Sequence, residues 1–216
     1  MLNETDTFVY ENNNSLSNEI CIDMINYFEN KASNKYQGVC GRGVDITVKD
    51  TVDCHITENN EDTFKYYRLL SKELVYNIKN YLTLLNNKYL PCNDDVNCKD
   101  GDVLNKESYK YFDGENLYFD IFQMQRYKKN IGKFTIHHDF NIDKYNGCRM
   151  FVYMWYLNDV VKGGETNLKN TIDIKPKMGK LLIFPASWNY PHCGNIPLSS
   201  DKYIITGWVK VKIKVS

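Results

Sequence analysis

Hydrophobic spacing changes character near residue 117. Upstream, Ile20, Cys21, Met24, Ile25 and Phe28 recur at helical intervals behind Ser17, a residue suited to cap a helix. Residues 63–89 contain neither Gly nor Pro. Phe64, Tyr67, Leu70, Leu74, Ile78, Tyr81 and Leu85 form one apolar stripe there, which predicts a long helix packed on a broad surface. Between these helices, Gly38, Gly41 and Gly43 break the chain ahead of VDITV, whose alternation predicts a strand. From Leu117 onward the period is two. LYFDIFQMQRY, KFTIHHDF, RMFVYMWYLN, ETNLK, TIDIKP, KLLIFP and YIITGWVKVKI read as strands, punctuated by Gly, Pro and Asn.

No crossover helix fits between these strands, which argues against a parallel βαβ sheet. The expected class is α+β: a double-stranded β-helix (jelly roll) core with N-terminal helices packed against the sheet. We expect one domain over 1–216. Residues 1–16 are a polar, flexible start, 17–116 supply helical support plus a lid or loop at 91–116, and 117–216 form the catalytic core.

Charge narrows the function classes. The chain carries 27 basic and 27 acidic residues, so nothing in bulk draws it to nucleic acid or an anionic membrane. The terminal KVKIK reads more simply as an edge strand guarded by lysines. The N-terminus lacks a basic start and apolar run, and no stretch approaches a membrane span. Seven cysteines without a regular pattern suit reduced thiols and a cytoplasmic setting. Cys92 and Cys98 could close a small loop or hold a metal, but no second pair completes a zinc set. His55, in the polar stretch DCHITENN, reads as solvated.

The remaining three histidines lie in the second half. A single histidine in a β-rich chain is ordinarily a surface or hydrogen-bonded core residue, and a lone lysine is ordinarily solvated. Order and context carry the signal here. In FTIHHDF, His137 and Asp139 share one face of a strand while His138 points away. His192 in SWNYPHCGNIP follows 53 residues after Asp139, and Lys202 ten after that. Two imidazoles and a carboxylate on one face of Fe(II) leave positions open for a co-substrate and oxygen. A lysine behind them suits the far carboxylate of 2-oxoglutarate, which needs a cation when buried. Tyr127 offers a hydroxyl beside it. The carboxylate at Asp139 favours hydroxylation over halogenation, because a small residue there would open a halide position.

Three segments together resemble the prolyl 4-hydroxylase family of Fe(II)/2-oxoglutarate dioxygenases. These are QRYKKNIGKFTIHHDF, YLNDVVKGGETNL and IKPKMGKLLIFPASWNYPHCGNIPLSSDKYIITGWV, covering about Gln125–Val209. SLSNEICIDMINYFEN is similar to the family's opening helix. The resemblance implies His137, Asp139 and His192 as iron ligands and Lys202 as the 2-oxoglutarate anchor. It implies Tyr127 as a cofactor contact, with one extra residue in the loop before the histidine, and Trp208 as a pocket wall. It further implies ascorbate as an auxiliary cofactor and a proline-containing protein or peptide as substrate. The Gly163-Gly164-Glu165-Thr166 run reads as a tight β connection without a catalytic part. Two positions depart from the pattern: Phe134 stands where proline-hydroxylating members often carry Tyr, and Val152 where relatives often hold Thr.

The expected activity is therefore peptidyl-proline 4-hydroxylation, with 2-oxoglutarate and oxygen converted to succinate and carbon dioxide. A second reading keeps the cofactors and changes the target to another side chain, a free amino acid or a nucleobase. A third is a jelly-roll binding module without turnover. Clustered Lys and Arg for phosphate contacts are missing, which weighs against nucleic acid.

Overall fold

The computed structural model describes residues 8–41, 43–89, 117–143, 145 and 147–212. In chain order the first elements are β1 (Tyr10–Asn12), α1 (Asn18–Asn30), β2 (Tyr36–Gln37), β3 (Lys49–Asp50), β4 (Val52–Ile56) and α2 (Glu61–Tyr89). There follow β5 (Leu117–Tyr118), β6 (Phe122–Tyr127), β7 (Lys133–His137), β8 (Ile142–Asp143) and β9 (Gly147–Tyr156). The chain closes with β10 (Thr166–Leu168), β11 (Ile172–Ile174), β12 (Leu181–Pro185), β13 (His192–Gly194) and β14 (Lys202–Val211).

Two antiparallel sheets result. The larger runs β1-β12-β9-β14-β6-β4-β2, with β5 against β14 and β8 against β9. The smaller runs β11-β10-β13-β7-β3. Alternation along each strand of the larger sheet sorts its side chains between two cores. Cys54, Ile56, Phe122, Met124, Phe151, Tyr153, Trp155, Leu181, Ile183, Ile205 and Val209 face the helices. Tyr127, Val152, Met154, Tyr156, Leu182, Phe184 and Ile204 face the other way, toward Leu168 and Ile174 of the smaller sheet. This is the expected jelly roll with helices banked on one sheet.

The helices form for local reasons. The Ser17 side chain accepts from the Ile20 N–H at 3.4 Å, satisfying a donor of the first turn of α1. Cys21, Met24, Tyr27 and Phe28 are its buried face. In α2 the buried stripe is Tyr66, Leu70, Leu74, Ile78 and Tyr81. Phe64 is 44% exposed, so Tyr66 and not Phe64 opens that stripe. No helix among the described residues is long and apolar enough to cross a membrane.

Several expectations are corrected. Residues 8–16 do not form a loose start: β1 pairs antiparallel with β12, and Ser15 and Leu16 donate to the Gly179 carbonyl. VDITV is a turn, because the Asp45 carboxylate accepts from both the Thr47 N–H and hydroxyl while the Asp45 carbonyl accepts from Val48 and Lys49. The strand lies just beyond it, in VDCHI. That strand carries His55, which is half-buried and bonded to the Tyr36 hydroxyl instead of being solvated. β14 is no edge strand, since Lys210 and Val211 pair with β9 on one side and β5 on the other. The expected lid at 91–116, with Cys92 and Cys98, lies outside the described residues.

Candidate metal centre

The two sheets enclose a cleft of about 970 Å³. β7 ends at His137, and the alternation of its side chains carries past the strand end. Asp139 therefore turns inward with His137, while His138 is exposed. β13 pairs with β7 in a register that sets His192 directly across from His137. Their imidazole centres are 4.2 Å apart, and His192 Nε2 is 3.2 Å from Asp139 Oδ2. One ligand atom from each of the three lies within 4.8 Å of the others.

Local contacts leave these atoms able to serve as metal ligands. His137 Nδ1 faces the Thr135 carbonyl at 2.8 Å, and His192 Nδ1 faces the Tyr190 carbonyl at 3.1 Å. A carbonyl only accepts, so each Nδ1 carries a proton and each Nε2 points to the shared centre. Burial, with a smaller push from His192, lowers His137 to about 4, leaving its imidazole neutral near pH 7. Burial alone would raise the Asp139 carboxyl. Its contacts with His192, His137 and Arg149 outweigh burial and lower the carboxyl below its ordinary value. Phe134 stacks on His137 with ring centres 3.6 Å apart, fixing the imidazole plane. Two imidazoles and a carboxylate fit a ferrous ion's preference for mixed N/O ligation with open positions.

Lys202 opens β14 opposite Tyr127 on β6 and is buried. Its ammonium donates to the Gly164 carbonyl at 2.9 Å and lies 4.1 Å from the centre of the Tyr127 ring. Among the described residues no carboxylate sits at ion-pair distance from it. A buried cation in that condition fits an anionic ligand. Burial lowers its pKa to about 7, with Glu165 and Cys193 opposing. The Tyr127 hydroxyl donates to Gln125 Oε1 at 3.2 Å, and burial raises its pKa, so it stays protonated. Trp208 lines the same cleft, and its buried indole N–H has no partner among the described residues.

Two features were missed from sequence. Arg149 on β9 lies over the Trp208 ring at 3.6 Å and reaches toward the Asp139 carboxylate at 3.8 Å. Its position two residues before the apolar run FVYMWYL was the only signal. The glycine pair of GGET does form the expected turn, with positive φ at Gly163 and Gly164. It also supplies the carbonyl that receives Lys202.

Residues 122–210 match the family model described as the 2OG-Fe(II) oxygenase superfamily. No curated protein matches by sequence. The fold resembles a viral collagen prolyl hydroxylase from Paramecium bursaria Chlorella virus-1, solved with 2OG. That likeness has a TM-score of 0.61 and 16% identity, over 95% of this chain and 97% of that one. It resembles a Trichoplax adhaerens prolyl hydroxylase bound to a hypoxia inducible factor peptide fragment, with TM-score 0.65, 17% identity, and 95% and 84% of the two chains covered. It also resembles a Pseudomonas putida prolyl-4-hydroxylase, with TM-score 0.63, 15% identity and 96% and 95% covered. The matched segment, residues 122–210, contains His137, Asp139, His192 and Lys202, and this match to the 2OG-Fe(II) oxygenase superfamily supports a dioxygenase that uses Fe(II) and 2-oxoglutarate.

Proposed function

We propose that this dioxygenase hydroxylates a prolyl residue of a peptide or protein. In this reading His137, Asp139 and His192 hold the iron, Lys202 holds the far carboxylate of 2-oxoglutarate, and Tyr127 and Trp208 line the pocket. Residues 117–216 are the catalytic core of one domain, supported by 17–116. The observation that carries the reading is the buried Lys202 ammonium, free of any described carboxylate partner, in the same cleft as the three ligand side chains. The three solved structures described above as similar in fold are prolyl hydroxylases, one of them bound to a peptide fragment. Five described cysteines are free thiols, which suits the cytoplasmic location included in the proposal.

When bound, the iron and 2-oxoglutarate supply oxygen activation coupled to oxidative decarboxylation. The chain's own part is positioning and electrostatics. Thr135 and Tyr190 carbonyls aim the two imidazoles. Arg149 lies alongside the Asp139 carboxylate and stacks on Trp208, joining the metal side of the cleft to its far wall. Lys202 offsets the cost of burying a dianion.

A second reading, hydroxylation of a different side chain, is favoured by Phe134 and Val152. Both are apolar cleft residues where the family resemblance leads one to expect hydroxyls. The deciding experiment incubates the enzyme with Fe(II), 2-oxoglutarate and peptides with and without proline, following succinate and peptide mass. Proline-dependent gain of one oxygen supports the first reading. Oxygen gain on proline-free peptides supports the second. Absence of succinate under all conditions overturns both.

A further inference from the structure

The inner face of β6 presents Gln123, Gln125 and Tyr127 in alternation, and all three line the cleft. Beneath them lies a buried ion pair, Lys49 Nζ to Asp53 Oδ2 at 2.7 Å, with side chains 3% and 0% exposed. Lys49 belongs to the smaller sheet and Asp53 to the larger, so the pair spans the two. Gln125 Nε2 donates to Asp53 Oδ2 at 3.4 Å and to Gln123 Oε1 at 2.8 Å. Both partners are acceptors, and this dictates which end of the Gln125 amide faces them. Its oxygen is thereby turned to Tyr127, whose hydroxyl donates to it at 3.2 Å.

A phenol has one proton. While Gln125 holds it, Tyr127 has none to give to an anion beside Lys202. We propose that Gln125, its amide oriented by the Lys49–Asp53 pair, keeps the Tyr127 proton turned toward the wall, so that 2-oxoglutarate must take this proton from Gln125 in order to bind. Gln125 is then a positioning residue that lowers cosubstrate affinity. The inference rests on the cofactor pocket assigned above to Lys202 and Tyr127. A charge-assisted bond to a carboxylate is stronger than the neutral bond to an amide, so the exchange proceeds, but the neutral bond is lost in doing so.

Removing the competing acceptor should tighten binding. The full chain loaded with Mn(II), which supports no turnover, is titrated with 2-oxoglutarate by calorimetry. Gln125→Met should lower the Kd about two- to tenfold, the equivalent of one neutral hydrogen bond. In a Tyr127→Phe background the same change should have no effect, because there is no proton to contest. A merely structural role for Gln125 would shift both backgrounds alike. An unchanged or higher Kd in Gln125→Met, or an equal shift in the Phe background, overturns the inference while leaving the pocket assignment standing. Wild-type protein that fails to bind 2-oxoglutarate overturns the assignment and the inference together. If Gln125→Met does not fold, Gln125→Leu carries the same comparison.

Discussion

Lys202 and Tyr127 occupy paired positions on β14 and β6, and the Lys202 ammonium lies 4.1 Å from the centre of the Tyr127 ring. The aromatic face and the Gly164 carbonyl are partial compensation for a buried charge, weaker than a carboxylate would be. Lys202→Met keeps the unbranched stem and deletes the charge. It should cost about 2–5 kcal/mol of 2-oxoglutarate binding, because the dianion loses its buried counter-ion. The cosubstrate-free protein should melt at a higher temperature than wild type, since the desolvated ammonium is gone. Calorimetry and thermal unfolding on one preparation check both; a fall in melting temperature would mean that Lys202 is structurally satisfied without a ligand.

The same burial sets a pH dependence. Lys202 is lowered from 10.5 to about 7, first by burial, with Glu165 and Cys193 opposing. Above pH 7 the free enzyme increasingly carries a neutral amine there, so 2-oxoglutarate binding takes up a proton and weakens as pH rises. Stability runs the other way. Between about 7 and 10.5 the unfolded chain holds a proton that the folded chain has released, so stability without cosubstrate increases with pH through that window. Lys202→Met should lose this group's part of both slopes, and the difference between the two proteins isolates it from the other groups that titrate.

Gly163 connects backbone geometry to the same lysine. Its φ is +71°, and a Cβ there would stand 2.4 Å from the Ile196 carbonyl oxygen. The next residue supplies the carbonyl that receives Lys202. Gly163→Ala should destabilise the fold by about 1–3 kcal/mol and weaken 2-oxoglutarate binding as well, because relieving the clash displaces Gly164. Gly41→Ala is the matching control: no described residue lies within 4 Å of a Cβ there, and its effect on both measurements should be small. Equal effects from the two substitutions would sever the turn from the pocket.

The sequence made the site more legible than its frame. His137 and Asp139 announced themselves because period two forces residues two apart to the same side, and β7 and its continuation obey that rule. The frame was harder to read where polar letters are buried. Asp53 and His55 made DCHITENN read as a polar, solvated stretch, yet Asp53 is sunk against Lys49 and the first four residues of the segment lie in β4. VDITV has an equally good alternation, and a side-chain cap from Asp45 overrides it. β1, β2, β3, β8 and β13 have two or three residues each, too few for any periodicity, and exist because a neighbouring strand offers an edge. Gln125 and Arg149 could not be singled out, because their roles depend on partners far away in sequence.

The N-terminal segment gives the sharpest test of that last point. Ser15 Oγ accepts from the buried Trp155 indole N–H at 3.0 Å and from Asn77 Nδ2 at 3.3 Å. Asn77 in turn accepts from the Tyr10 hydroxyl and the Asn12 amide. One small hydroxyl therefore ties β1, the middle of α2 and the centre of β9 together. Ser15→Ala leaves the Trp155 indole donor without its partner in the core and takes one of two acceptors from Asn77 Nδ2, which keeps the Glu73 carbonyl at 2.8 Å, at a cost of about 1–3 kcal/mol. Because Trp155 faces the helices and not the cleft, 2-oxoglutarate affinity should be unchanged. A lower urea midpoint with an unaltered Kd is the expected pair of results. Were residues 8–16 the loose start that their polar composition suggests, the same substitution would leave the midpoint where it was.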